Sequence, residues 1–355
     1  MATLTETAYV TRKIINLSII LLVVGIIVKI IIMGATGVFR TLFPKPPPAP
    51  TMIFGLLPMP LAQNNIATPS GGITYSLETA GGTLPKLPYA IRVYFITHAT
   101  STFGSYDRMK GIASHLGFSD VPTRTSATAW HFVDKGNQLR TLDIDEISLN
   151  FRIKYNYLSD QSLFNERNFS SNEQISSEAK GFLGGTGLLP SDFSGGPAII
   201  TYYKFDVGAL VQTTSLANAD SIGVTINRAN IDSGDTVLGK IPVLSPDYRQ
   251  GLASVLFSGS GDGKKRILEA RFLVSPVDLQ TFGTYSPIKA DEAWSRLQTG
   301  NVIYAALPEP MSNAIVIRKV YVAYLDPYPT QSFLQPVMVF SDEKGFVAYV
   351  PLVAK

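Results

Sequence analysis

The hydrophobic pattern changes character along the chain. Between Ile14 and Met33 it has no polar face: IINLSIILLVVGIIVKIIIM is apolar all round, with Lys29 its one charge. A helix of this length rises about 30 Å, the thickness of a bilayer's hydrocarbon core. The pattern therefore predicts one transmembrane helix at 14–33, with a short polar tail at 1–13. Lys29 lies one turn from the helix end, where its stem can carry the ammonium to the headgroups. The run is long for a signal-peptide core and no A-x-A site follows it closely. An uncleaved anchor is favoured over a cleaved signal.

From Ile73 the period becomes two. Ile73–Thr79, Tyr89–Thr97, Thr128–Asp134, Leu139–Tyr157, Ala198–Gly208 and Ala219–Ile231 read as strands, and Val255–Ser275 as a long hairpin with a glycine-rich tip. Ala314–Asp326, Phe333–Asp342 and Phe346–Ala354 return to sheet. In Leu139–Tyr157 the alternation slips at Glu146, which marks a bulge or a turn. Three stretches take the helical period: Tyr106–Leu116 with Gly117 at the stop position, the start of Asn172–Pro190, and Ser286–Gly300. The order is α+β, with short helices set on antiparallel sheets. MKGIASHLGF and SEAKGFLGGTGL pair as equivalent helices ending in glycine. That pairing predicts repeated modules, one at 73–170 and a larger one at 171–355.

Between anchor and modules lies a linker at 34–72. PKPPPAP (Pro44–Pro50) enforces polyproline II and acts as a semi-rigid spacer. TMIFGLLPMPLA (Thr51–Ala62) is apolar but cut by Pro58 and Pro60. It is expected to pack on the domain's flank as an extended strap, with insertion at the membrane interface as the alternative.

Composition narrows the function. Apolar residues make up 45% and charged residues 16%, which suits a folded domain plus one span. The absence of cysteine excludes disulfides, thiolate metal sites and a cysteine nucleophile. The first 45 residues carry +4, which leaves −1 of the chain's +3 for the rest. The positive excess belongs to the membrane flanks, and no basic face for nucleic acid is expected. Arg12 and Lys13 flank one side of the helix, Arg40 and Lys45 the other. Long segments translocate largely regardless of charge, so the N-terminus is read as cytoplasmic and the C-terminal domain as extracellular, in a single-pass cell-membrane protein.

The chemical candidates weaken on inspection. SGSGDGKK (Ser258–Lys265) lacks the phosphate loop's first glycine, has Lys265 where Ser or Thr is needed, and sits between strands with no helix expected after it. GGTG (Gly184–Gly187) reads as a helix-ending loop. Ser260 stands between glycines, but Ser258 occupies the place where a nucleophile elbow needs Gly. His98, His115 and His131 have no spacing that makes a metal pair. Asp143, Asp145 and Glu146 crowd together, yet Ser148 stands where a calcium loop needs glycine. In a strand Asp143 and Asp145 share one face, and an exposed carboxylate face is expected. Tyr285, Trp294, Tyr304, Tyr321, Tyr324, Tyr328, Phe340, Phe346 and Tyr349 read as strand core, with a peptide, glycan or protein docking surface as the sharper alternative. No catalytic, cofactor-binding or metal residue is assigned, and no cofactor is expected.

The C-terminal run TYSPIKADEAWSRLQTG, IVIRKVYVAYLD, SFLQPVMVFSDEKGFVAYVPLV is similar to extracytoplasmic YycH/YycI-type proteins, membrane-anchored regulators of a cell-wall sensor kinase. It also resembles hypothetical proteins of that shape in candidate-radiation bacteria. The matching features are Glu292-Ala293-Trp294, Ala323-Tyr324, Gln335-Pro336-Val337 and Ala348-Tyr349-Val350-Pro351, within about the last 70 residues. The resemblance implies a single-pass anchor, α+β repeats outside, and regulation without catalysis. The expected protein is thus a non-enzymatic ectodomain. It holds the bilayer through residues 14–33 and binds an envelope or membrane protein. The alternatives are an envelope hydrolase or transferase using carboxylates such as Asp143 or Asp145, and a self-assembling surface component.

Overall fold

The computed structural model describes residues 4–42, 48–60, 72–248, 251–308, 312–326, 328 and 331–353. Two units emerge, Met1–Ala49 and Pro50–Lys355. The first is a single helix, α1 (Leu4–Leu42), longer at both ends than the apolar run alone predicts. Part of the expected polar tail is therefore helical. Tyr9–Met33 is the one stretch among the described residues long and apolar enough to cross a membrane, a pattern that a span and a signal sequence share. Every side chain from Tyr9 to Met33 is exposed. Pro44–Pro47 of the proline spacer lie outside the described residues.

The second unit is α+β. In chain order it runs β1 (Thr74–Leu77), β2 (Ile91–Ile96), α2 (Ser105–His115), β3 (Thr123–Arg124), β4 (Ala129–Val133), β5 (Arg140–Asp145), β6 (Phe151–Tyr155), α3 (Asn172–Gly185) and α4 (Ser191–Ser194). There follow β7 (Ala198–Asp206), β8 (Ala209–Thr213), β9 (Ser221–Ile226), β10 (Ile231–Asp232), β11 (Lys240–Ile241), β12 (Val243–Leu244), β13 (Ala253–Ser258), α5 (Gly263–Arg266), β14 (Ile267–Phe272) and β15 (Val277–Tyr285). The chain closes with α6 (Ala290–Gln298), β16 (Ile303–Ala306), β17 (Ala314–Ile317), β18 (Lys319–Leu325), β19 (Phe333–Ser341) and β20 (Val347–Pro351).

Nine strands form one antiparallel sheet in the order β3-β4-β5-β6-β14-β13-β9-β7-β8. Helices α2 and α3 pack on one face of it. Met109 and Ala113 of α2, Leu116 just after it, and Ile175, Ala179 and Leu183 of α3 join Leu142, Ile144, Phe151, Ile153, Ile222, Val224 and Val255 in a single core. Both helices start and stop where local chemistry requires. Ser171 and Gln174 form a capping box at the head of α3. Gly117 takes φ +88 after α2, a conformation that a side chain opposes. The slip at Glu146 is a turn: β5 ends at Asp145, Leu149 has φ +59, and β6 starts at Phe151.

The second sheet draws on both ends of the unit. Its main path is β12-β18-β19-β2-β15, with β20 on β19 and β16 on β20. It is covered on both sides. One side packs on α6 through Ala293 and Leu297, and the other buries Ala323, Val337, Val339 and Tyr349. Two strand pairs are parallel where the alternation alone suggests antiparallel pairing: β12 on β18 in this sheet, and β1 on β17, which form a two-stranded sheet of their own. The strap after the spacer docks on this sheet's edge: the Met52 amide donates to the Thr284 carbonyl, and Gln335 Nε2 donates to the Pro58 carbonyl. Buried Arg228, following β9, reaches Asp326 at the end of β18 and so joins the two sheets.

Candidate functional site

With helices on one face, the other face of the nine-stranded sheet carries many polar residues, partly covered at Arg271 and Thr225, and strand register sets them in rows. One row runs His131, Asp143, Arg152, Arg271, Ser254, Thr225, Ile199 across seven strands. The next runs Thr141, Lys154, Glu269, Leu256, Gly223, Thr201. Arg152 and Arg271 stand opposite each other, an arrangement that needs compensation. Glu269 lies 3.8 Å from Arg152, and Asp247 lies 3.6 Å from Arg271.

A groove follows this face. At one end it holds about 230 Å³ among Tyr157, Thr201, Tyr203, Gly223, Ser254 and Glu269. Through Thr201, Tyr203 and Leu210 it continues into a cleft of about 820 Å³ that reaches Tyr248, Ala306 and Lys344. Gly223 makes room for it. A Cβ there would meet the Tyr203 ring at 3.0 Å, so the ring lies across the glycine. The near wall is aromatic: Phe164 stacks on Phe205 at 4.3 Å, with Tyr157 edge-on to both. At the far end burial, with Tyr248 beside it, pushes the Tyr321 hydroxyl up to about 12.

The cleft also borders β8, the last strand of the sheet. Asp206 pairs with Ala209 around a two-residue turn, Val207-Gly208, with φ +45 and +82. Both values are those of a type I′ turn. The alternation that follows from it turns the amides of Leu210 and Gln212 outward, away from β7. Among the described residues β8 pairs with β7 alone. Its sequence, ALVQT, has neither charge nor proline. The opposite edge, β3, is two residues long and carries Arg124. Natural sheets blunt their edges by such shortness and charge, and β8 has neither.

The sequence candidates fall in several places. His131 Nδ1 lies 2.7 Å from Asp143 Oδ1 on the open face. This pairing was readable: counting back from the KGNQ turn puts residue 131 opposite 143. Asp145 does not share that open environment. It accepts from the Ile147 and Ser148 amides, the Ser148 hydroxyl and the Thr128 hydroxyl. Burial acts to raise its pKa, but these bonds outweigh it and hold the carboxyl below its usual range. Glu146 accepts from Trp130 Nε1 at 2.7 Å. His98 meets Ser332 at 3.2 Å, and a Cβ at Gly185 would lie 3.2 Å from His115 Nε2, so the histidines occupy separate surroundings. Among the described residues no group of three or more His, Asp or Glu is placed to hold a metal ion.

The Ser258–Lys265 loop is a hairpin tip, but a single helical turn, α5, begins at Gly263 where no helix is expected, because Asp262 caps it by accepting from the Lys264 amide. Its cations are engaged: Lys264 with Asp134 at 3.0 Å, Lys265 with Asp160 at 2.8 Å, and Arg266 with both oxygens of Glu178. Six of the nine C-terminal aromatics, among them Tyr324, Phe340 and Tyr349, are buried core; Trp294, Tyr304 and Tyr321 are partly so. The aromatics that line the groove are instead Tyr157, Tyr203 and Tyr248. The β8 strand escaped the sequence reading because Val-Gly is not the usual Asn-Gly turn signal. No family model, curated protein or solved structure matches the chain.

Proposed function

We propose that the protein is a bilayer-tethered binding module that captures an extended segment of a partner protein by strand addition to β8. In this reading Tyr9–Met33 is an uncleaved span, the N-terminus is cytoplasmic, and the unit from Pro50 onward works outside the cell with an envelope or membrane partner. The observation that carries it is the unprotected edge of β8 opening onto a groove. Strand addition takes its affinity from main-chain hydrogen bonds and its specificity from pockets for alternate side chains. The outward amides of Leu210 and Gln212 supply the first, and the space around Tyr203 and Tyr248 the second. A sensor kinase is one such partner, suggested by the C-terminal resemblance to YycH/YycI-type regulators. The pairing of α2 and α3 on one sheet supports an origin in repeated modules. Catalysis through Asp143 or Asp145 is the weaker alternative, because the Asp145 carboxylate is consumed by its own turn.

The test is photo-crosslinking in cells with the full chain, using a photoreactive residue at Gln212 and, for comparison, at exposed Val121. The expected result is crosslinks at 212 to one partner segment, abolished by Leu210→Pro, which removes an outward amide and leaves the β7 ladder in place. Equal crosslinking at 121 and 212, or no effect of Leu210→Pro, would overturn the proposal. Crosslinks only between copies would replace it with self-assembly through the same edge.

A further inference from the structure

The strap from Thr51 to Pro60 has two sides. Phe54 packs on Phe333 and Phe95, with centroids at 5.1 and 6.2 Å, and Leu57 is buried. Thr51 and Thr284 exchange hydrogen bonds from amide to hydroxyl at 2.9 and 3.0 Å, and the Phe54 amide donates to the Tyr285 hydroxyl. Gly283 leaves the gap into which the strap fits: a Cβ there would lie 3.0 Å from Ile53 Cγ1 and 3.4 Å from the Phe54 ring. The backbone is held even against its own preference, with Met52 at φ +43. This fixed base turns apolar side chains outward. Met52 is 46% exposed, Ile53 58%, Leu56 76% and Met59 38%. Four large apolar residues within eight positions make a patch on the order of a few hundred Å², the scale at which an exposed patch marks a contact surface.

We infer that the outer side of this strap rests in the interfacial layer of the bilayer that Tyr9–Met33 crosses. The inference depends on that helix being a membrane span, and not on what β8 binds. Chain continuity names the occupant. Helix α1 ends at Leu42, and the chain from there to Thr51 reaches at most about 30 Å even fully extended. The nine helical residues after Met33, up to Leu42, add about 13 Å, so the strap is joined to the membrane span by a connection short enough to let it lie on the membrane surface. Its outward residues are aliphatic and thioether groups without charge, suited to the headgroup–acyl boundary. Its inner bonds hold them there at no further cost in backbone ordering. Two membrane contacts, the span and the strap, would fix the unit's tilt, where a span alone leaves it free to swivel.

The chain has no cysteine, so single-cysteine labelling needs no background removal. The full chain is reconstituted in phosphatidylcholine–phosphatidylglycerol vesicles with an environment-sensitive fluorophore on Leu56→Cys, on Ile53→Cys, or on Val121→Cys, which is 94% exposed. The expected result is blue-shifted emission at 56 and 53, quenched at least three-fold more strongly by lipids doxyl-labelled near the headgroup than at 121. Quenching at 53 and 56 equal to that at 121 would overturn the inference. So would a blue shift at 53 and 56 without lipid quenching, which would mean a protein contact. An alkaline wash of the same vesicles separates the two readings. Release of the chain refutes the span itself. Retention with an unquenched strap refutes only the strap's membrane contact.

Discussion

Arg228 donates from Nε to Asp326 Oδ2 at 2.8 Å, and the two residues follow strands of different sheets. The same guanidinium bonds Asp192 at 2.6 Å and the Ser275 carbonyl, and lies over the Phe193 ring. Arg228 is 2% exposed and Asp326 5%. A charge so placed is tolerable only while its partners stay. Asp326→Ala is expected to cost about 3–5 kcal/mol, because it leaves the buried Nε without an acceptor and the guanidinium with one carboxylate instead of two. The double variant Arg228→Met, Asp326→Asn is expected to cost less than that single change. Urea unfolding of the full chain in detergent checks both, and a double variant as unstable as the single would contradict the account.

Asp160 ties the glycine-rich hairpin tip to its flank. The hydrogen bond from Lys265 leads, followed by those from Ser162 and Tyr155, and together they lower its pKa from 3.8 to about 2. A depressed carboxyl stabilises the folded state above its unfolded pKa, and that contribution is lost as pH falls through the folded one. Protection of the Gly261–Arg266 amides, measured against their intrinsic exchange rates, is therefore expected to fall between about pH 4 and pH 2. In Asp160→Asn that protection is expected to be low already at pH 6 and to change little with pH.

Val207 occupies a left-handed turn position that a β-branched residue disfavours, and its side chain is 98% exposed. Nothing in its contacts offsets that strain. Val207→Asn supplies the residue a type I′ turn prefers and is expected to stabilise the chain by about 1 kcal/mol. A thermal midpoint unchanged or lowered by the substitution would show that the turn relaxes around valine.

Gly223 keeps the groove open by letting the Tyr203 ring lie flat across it. Gly223→Ala displaces that ring while leaving the ladder to β7 and β13 intact. The expected outcome is a several-fold loss of crosslinking at Gln212, with the melting temperature within about 3 °C of the parent. Undiminished crosslinking would mean that the occupant does not reach this end of the groove.

Periodicity made the faces of this fold legible, and partners much less so. The helices at Ser105–His115, Asn172–Gly185 and Ala290–Gln298 and the Ala253–Phe272 hairpin follow from spacing, caps and stop glycines, all local signals. The two-sided strap was half legible. Its apolar composition was plain, but which residues turn inward depends on Gly283 and Tyr285, far along the chain. Arg228 could not be read at all, since a lone arginine after a strand looks like a solvated charge. Its meaning comes from Asp326, 98 positions later. The open face of the large sheet lies between these cases. Its polar alternation was visible strand by strand, while the rows it forms depend on a strand order that crosses from β6 to β14.

The second sheet pairs the start of the unit with its end, Phe95 of β2 with Phe333 of β19, and the strap's Pro58 carbonyl accepts from Gln335. Synthesis runs the other way round this closure. Every strand of the nine-stranded sheet has been made by Phe272, and that sheet can assemble while the rest is still being added. The strap, β1 and β2 wait without partners until the last 80 or so residues emerge, tethered all the while behind an apolar helix. A chain truncated before β19 would thus keep the Tyr157 end of its groove but lose the Lys344 end, and its strap would give up Phe333 and Gln335.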